Sequence, residues 1–188
     1  MRLRNLATAL VLLMVPLLAH ADNFTYNVND AFTGFSVMGT ITTDINTGVV
    51  SMADITDYNL VLNDGTSMLN LTPMNSQFEL DGNSVTATAS GLFFNFDNVN
   101  RDVLIFQSPS IGFGGNYLCY QGVEGNCDDF FGAHESVSIG SDGQIVENRS
   151  GNLQIASMPV AETPEPESLV LLGTGLLGLV GVVKRRLV

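Results

Sequence analysis

The sequence predicts an all-β protein whose body is an antiparallel, jelly-roll-like β-sandwich. Three observations predict it. Apolar and polar residues alternate with a period of two through most of the middle of the chain. Clusters of Asn, Asp and Gly that favour turns separate these short runs. Helical spacing is not sustained in any window of about a dozen residues, apart from a weak pattern around residues 52–62.

The chain divides into four predicted segments. Its 188 residues have room for one hydrophobic core and the targeting segments around it. We assign residues 1–21 to a signal peptide, residues 22–158 to the β-sandwich body, residues 159–167 to a Pro/Glu linker, and residues 168–188 to a transmembrane helix with a basic tail.

The N-terminus has the three parts of a secretory signal peptide. Arg2 and Arg4 precede an apolar run at residues 6–18, and Ala19 and Ala21 are the small residues that a signal peptidase requires. The apolar run is shorter than the roughly 20 residues that a membrane-spanning helix needs. We therefore expect a signal peptide helix that is cleaved after Ala21 during export.

The predicted strands follow one another through the body with turn signals between them. They lie at residues 24–28, 35–42, 59–62, 85–89, 92–96, 103–106, 117–120, 137–139, 144–146 and 153–156. Turn signals occur at residues 46–48, 63–65, 81–83 and 141–143. About ten short strands at this spacing favour a sandwich.

Charge is distributed unevenly along the chain. Residues 22–163 contain 17 of the 19 acidic residues, no lysine, and only Arg101 and Arg149 as basic residues, a net charge of −15. Such a surface repels phosphate groups, which excludes nucleic acid as a partner. It attracts cations.

The two cysteines form a predicted disulfide. Cys119 and Cys127 are the only cysteines, and export places them in an oxidising compartment. A bond between them closes a small loop in which Gly122 and Gly125 allow tight turns.

The body carries no recognisable catalytic motif. His134 is the only histidine left after signal cleavage, and we interpret it as an exposed loop residue. Motifs of serine hydrolases, zinc proteases and nucleotide-binding loops are missing from the sequence. We expect a protein that is not an enzyme, and a secreted hydrolase is the second alternative.

Weak calcium binding is an alternative function. The run Asp44 to Gly48 resembles the first half of a calcium loop, but position twelve falls on Ile55 instead of a glutamate. Oxygen donors at residues 97–102 and 128–129 could also bind a cation. Turn chemistry alone accounts for all of these residues, so we expect no cofactor and no dedicated metal site.

Glycan binding is the other alternative for the body. Sugars stack on exposed aromatic rings, and the disulfide loop with Tyr117 and Tyr120 is the best local surface for this. The phenylalanines at residues 93, 94, 96, 130 and 131 are instead interpreted as core residues and loop anchors.

The C-terminus combines a Pro-Glu-Pro motif, an uncharged segment and a basic cluster. The 16 uncharged residues from Ser168 to Val183 span about 24 Å as a helix, against a hydrocarbon core of about 30 Å. The basic residues that follow favour a cytoplasmic end and an outward-facing body. This short segment suits a temporary tether. The motif residues are Pro164, Glu165 and Pro166, and the basic residues are Lys184, Arg185 and Arg186.

This tripartite tail resembles the PEP-CTERM protein-sorting signal of Gram-negative bacteria. The resemblance implies export with cleavage by signal peptidase, a transient tether to the inner membrane facing the periplasm, and recognition by exosortase, which cuts near Pro-Glu-Pro. It further implies delivery to the cell surface or extracellular matrix, where exopolysaccharide of a biofilm is an expected partner. The role that we expect for the body is structural or adhesive.

Overall fold

A computed structural model describes residues 23–127, 131–140 and 143–159. These residues form thirteen strands and one short 3-10 helix at Met52–Asp54. The strands are β1 Phe24–Phe32, β2 Phe35–Thr43, β3 Gly48–Val49, β4 Ile55–Asn63, β5 Met68–Leu71, β6 Gln77–Asp81, β7 Val85–Thr88, β8 Gly91–Asn95, β9 Val103–Ser110, β10 Phe113–Gln121, β11 His134–Ser138, β12 Gln144–Asn148 and β13 Asn152–Ser157.

The strands form two antiparallel sheets. One has eight strands in the order β3-β7-β8-β13-β1-β2-β4-β5, and the other has five in the order β12-β11-β10-β9-β6. This confirms the all-β prediction and gives a β-sandwich-like body. The finer prediction of a jelly-roll arrangement stays a prediction.

The period of two in the sequence becomes two faces in each sheet. Tyr26 and Val28 of β1 and Val37 and Ile41 of β2 are buried in the main core, while the residues between them point the other way. In the five-stranded sheet, Leu104, Phe106, Leu118 and Tyr120 fill the same core from the opposite side. Aromatic side chains such as Tyr26, Phe106 and Tyr120 therefore lie between the sheets, where their burial stabilises the body.

The weak helical pattern around residues 52–62 corresponds to a single short turn of helix followed by a strand. Only Met52–Asp54 is helical, and β4 begins at Ile55. Tyr58, Leu60 and Leu62 are buried at alternate positions, so the strand period governs burial after the first turn. Strands β3, β5 and β6 were not predicted.

The chain enters and leaves the body through neighbouring strands. Strand β1 lies beside β13, with Asn27 opposite Ser157. Within the described residues no helix is long and apolar enough to cross a membrane. The predicted signal peptide helix and transmembrane helix, at residues 1–21 and 168–188, lie outside them.

Candidate functional site

The residues predicted to direct sorting lie outside the part of the chain that the structure describes. These are Ala19 and Ala21 at the signal cleavage site, Pro164, Glu165 and Pro166 of the motif, and Lys184, Arg185 and Arg186 of the basic cluster. The roles of these residues therefore remain predictions.

The predicted disulfide between Cys119 and Cys127 is present. Cys119 lies in β10 and is fully buried, and the two Cα atoms are 6.4 Å apart. The loop between them is held further by the Gln121 side chain, whose Oε1 accepts a 2.9 Å hydrogen bond from the Cys127 backbone N–H. The loop is therefore fixed to the five-stranded sheet at both of its ends.

The tyrosines do not form the exposed stacking surface that the sequence suggested. Tyr117 and Tyr120 both lie in β10, and both are buried. Tyr26 and Tyr58 are buried as well. Tyr120 faces the main core, whereas Tyr117 faces the outer side of the five-stranded sheet.

His134 is not the exposed loop residue that we expected. It begins β11, its exposed fraction is 1%, and its Nδ1 lies 2.8 Å from the carbonyl oxygen of Gly132. The side chain lies on the outer face of the five-stranded sheet, opposite Gln121 in the strand register.

The phenylalanines divide differently from the prediction. Phe94 and Phe96 are buried in the main core, as expected, and Phe93 is half-buried. Phe131 is 98% exposed, so it does not anchor its loop against the body. Phe130 lies outside the described residues.

The residues considered as calcium ligands make separate hydrogen bonds within the body. The Asp97 carboxylate accepts a hydrogen bond from the Gly151 N–H, whereas buried Asp102 accepts one from the Asn83 N–H. In the first loop, the Asp44 N–H donates to the carbonyl of Asp54. Residues 128–129 lie outside the described part. Across that part, no three or more His, Cys, Asp or Glu side chains are grouped to hold a metal ion.

The outer face of the five-stranded sheet carries a groove of about 430 Å³, which we call the outer groove. Val103, Ile105 and Tyr117 form its floor, because they alternate with the core residues of β9 and β10 and therefore point outward. Ile111 and Cys127 pack against this floor from two sides.

Both walls of the outer groove are held by side-chain amides. At one wall, Gln107 donates to the carbonyl of Gly114 at 2.9 Å and accepts from the Gly112 N–H at 2.7 Å. At the other wall, Gln121 and the disulfide hold Cys127. The groove is therefore largely formed before any ligand arrives.

The polar lining of the outer groove contains both donors and acceptors. Glu79 and Asp81 point outward from β6, Arg101 stands in the loop before β9, Asn126 lies in the disulfide loop, and Gln144 begins β12. Sequence reasoning missed this site because it missed β6. The signal was present, since Gln, Glu and Asp alternate with Phe78 and Leu80 there.

A second group of charged residues joins the two sheets, and we call it the inter-sheet acid cluster: Asp30, Tyr120, Glu135, Glu147 and Arg149. The Tyr120 hydroxyl donates to Asp30 Oδ2 at 2.8 Å, which links β10 to β1. Arg149 Nε donates to Glu135 Oε2 at 3.0 Å, and its Nη2 lies 2.9 Å from Glu147 Oε2.

Burial dominates the electrostatics of this cluster. The exposed fraction of Glu135 is 4%, and burial together with the nearby Asp30 charge raises the pKa of Glu135 to about 8 although Arg149 opposes the shift. Burial also raises the pKa of Asp30 and, with the Asp30 charge, that of Tyr120. Glu135 Oε1 accepts no hydrogen bond from the described residues, and a proton on this carboxyl can be donated to Asp30.

Comparison with known proteins identifies the C-terminal segment. A family model described as the PEP-CTERM protein-sorting motif matches residues 162–186. This confirms the resemblance noted in the sequence and identifies the chain as carrying a signal read by exosortase. No curated protein and no solved structure matches the chain.

Proposed function

We propose that this chain, which carries an exosortase sorting motif and is therefore exported, is a structural or adhesive protein of the cell surface or extracellular matrix of a Gram-negative bacterium. The observation that carries the proposal is the sorting motif at residues 162–186. A motif of this kind determines where a protein is delivered. Support for the role of the body must therefore come from the body itself.

The body has properties that suit a matrix component. It has a disulfide, two sheets joined by a polar cluster, and a strongly acidic composition without lysine. A large negative charge keeps a protein soluble and attracts cations that are shared with other acidic polymers. These features support a durable scaffold.

We further propose that the body is not an enzyme. A hydrolytic base must reach a substrate, whereas His134 is buried with its Nδ1 against the backbone carbonyl of Gly132. The inter-sheet acid cluster pairs carboxyls, but Glu135 is buried and tied to Arg149. The secreted hydrolase thus has less support than the structural role.

The sorting proposal is tested by comparing two glutamates that are two residues apart. In the native host, Glu165→Gln removes the charge inside the Pro-Glu-Pro motif, and Glu167→Gln removes an equal charge just after it. We expect Glu165→Gln to stop processing while export continues, and Glu167→Gln to be processed as the native chain is. Mass spectrometry of the C-terminus of the chain from cells and medium reads both results.

Processing of the Glu165→Gln chain at the native rate would contradict recognition through the motif. Equal loss of processing in both variants would mean that general acidity, and not the motif, is recognised.

A further inference from the structure

We propose that the outer groove is a binding site for an uncharged saccharide. This inference gives the adhesive role proposed above its ligand class and rests on that role. Its evidence is the chemistry of the groove itself, which combines an apolar floor, polar walls and a fixed shape.

The floor suits the apolar face of a sugar ring. Val103, Ile105 and the disulfide-bonded Cys127 present hydrocarbon and sulfur, and Tyr117 adds an aromatic ring at the edge of the same surface. The C–H groups of a pyranose ring pack on such a surface, and its hydroxyls project outward from the ring. Because Tyr117 is largely buried, only the part of its side chain that lines the groove can contact the sugar.

The rim suits hydroxyl groups. Each hydroxyl both donates and accepts a hydrogen bond, so a site for it needs both partners. Glu79 and Asp81 supply acceptors, Arg101 supplies donors, and the amide of Asn126 supplies both. Carboxylate and guanidinium groups can each bond two neighbouring hydroxyls at once.

The charges of the groove argue against an anionic ligand, which meets two carboxylates in the rim and a body with a net charge of −15. The hydroxyls of a neutral saccharide can donate to the carboxylates and accept from Arg101, whereas cationic side chains can bond only the carboxylates.

The size and rigidity of the groove also fit a small ligand. About 430 Å³ lies within the roughly 300–1,000 Å³ of typical small-molecule sites. Because Gln107 and Gln121 hold the two walls, little ordering is needed on binding.

The test uses the purified full chain in a detergent that has no sugar headgroup. A glycan array that carries neutral and anionic saccharides is followed by calorimetry on the neutral saccharide that binds best. Calcium chloride and a poly-arginine peptide are titrated separately as alternative ligands. The variants are Arg101→Gln, Asp81→Asn and, as the control, Asp57→Asn, each checked for native circular dichroism.

Asp57 is a matched control for Asp81. Each is an exposed strand residue whose carboxylate accepts the N–H of the next residue, at 2.9 Å in both cases. Asp57 lines a neighbouring cavity, which shares Glu79, Asp81 and Ile111 with the outer groove but does not include Arg101. The control therefore also distinguishes the two cavities.

We expect a neutral saccharide to bind, with an affinity that falls about tenfold in Arg101→Gln and is unchanged in Asp57→Asn, since losing a hydrogen bond from a charged group has an effect of this size. The proposal is overturned if no neutral saccharide binds, if only anionic saccharides, calcium or poly-arginine bind, or if Asp57→Asn weakens binding and Arg101→Gln does not. Because this assay uses purified chain and the processing assay uses cells, either proposal can fail without the other.

Discussion

Arg149 is the residue on which the inter-sheet acid cluster depends. Among the residues that the structure describes, it is the only basic one that contacts Glu135 and Glu147, and the other arginine of the body lines the outer groove. The carboxylates of the cluster are gathered at the inner face of β1, β11 and β12, where water solvates them poorly. A single guanidinium group thus offsets several acids.

We predict that Arg149→Met lowers the free energy of unfolding by about 1–3 kcal/mol, because it leaves the buried Glu135 carboxyl without its hydrogen-bond partner. Urea denaturation followed by circular dichroism measures the change. Arg101→Met is the matched control and should alter stability by less than about 0.5 kcal/mol, as exposed substitutions do. Similar losses in both variants would mean that net charge, and not the buried contact, sets the effect.

The raised pKa of Glu135 predicts how stability depends on pH. The folded chain keeps the Glu135 proton until about pH 8, whereas the unfolded chain releases it near the ordinary value of 4.5. The unfolded state is therefore favoured increasingly as pH rises through this window. Asp30, whose pKa is also raised, acts in the same direction, and Tyr120 does so at higher pH.

We predict that the free energy of unfolding falls between about pH 5 and pH 8, by at most about 1.4 kcal/mol per pH unit for each group that titrates. Glu135→Gln should flatten this fall, since an amide can still accept from Arg149 and donate to Asp30 without titrating. Urea denaturation at a series of pH values measures how the free energy of unfolding changes with pH in the native chain and in Glu135→Gln. Parallel curves for the native chain and the variant would refute the assignment to Glu135.

At the scale of elements, the disulfide loop packs on the outer face of the five-stranded sheet. It lies against the Gln121 side chain of β10, and its Cys127 end supplies one wall of the outer groove. The covalent link therefore holds this wall of the groove against the sheet.

We predict that Cys119→Ala with Cys127→Ala lowers the free energy of unfolding by about 2–3 kcal/mol, the usual effect of removing a bond that closes a short loop. Thermal melts with and without dithiothreitol measure it. Reductant should lower the melting temperature of the native chain and leave the double variant unchanged. A native chain insensitive to reductant would show that the loop is held by its hydrogen bonds alone.

The elements also show which parts of the fold the sequence can predict. Long strands such as β1 and β2 were recognised because one face is buried and the other exposed, so their alternation is strong. Strand β5, Met68–Leu71, was missed because Met68 is apolar but exposed and only Leu71 is buried, so its apolar residues do not mark one face. In the run from Met52 to Leu62 the pattern is mixed because its first turn is helical and its continuation is extended.

The acid cluster could not have been predicted. Its members come from residues 30, 120, 135, 147 and 149, and they meet only because β1 faces β10 and β11 across the core. Which strands face each other depends on the order of strands in two sheets. That order depends on how the whole core packs, and the local alternation of apolar and polar residues does not predict it.

At the scale of the whole molecule, basic residues are scarce, so trypsin has few cleavage sites in the body. Residues 22–163 offer Arg101, exposed in a loop, and Arg149, which is held by two carboxylates. Proteases need an extended, accessible segment, so the two sites should differ.

We predict that limited trypsin digestion of the folded chain cuts the body after Arg101 before it cuts after Arg149, and that cleavage after Arg149 accelerates in the Glu135→Gln/Glu147→Gln double variant. Timed mass spectrometry of the fragments measures both rates. Equal rates at the two sites in the native chain would contradict the placement of Arg149 in a closed cluster.

The position of β13 decides how the body withstands pulling. The last described strand is not at an edge of its sheet but between β8 and β1, and its register pairs with β8 continue from Asn152 to Ser157. A mechanical load that enters through the C-terminal tail must therefore break the ladder with β8 and the Asn27–Ser157 pairing with β1 before the strand detaches, whereas an edge strand would peel away from one neighbour. A tethered protein with this topology can carry tension without first losing the strand by which it is held.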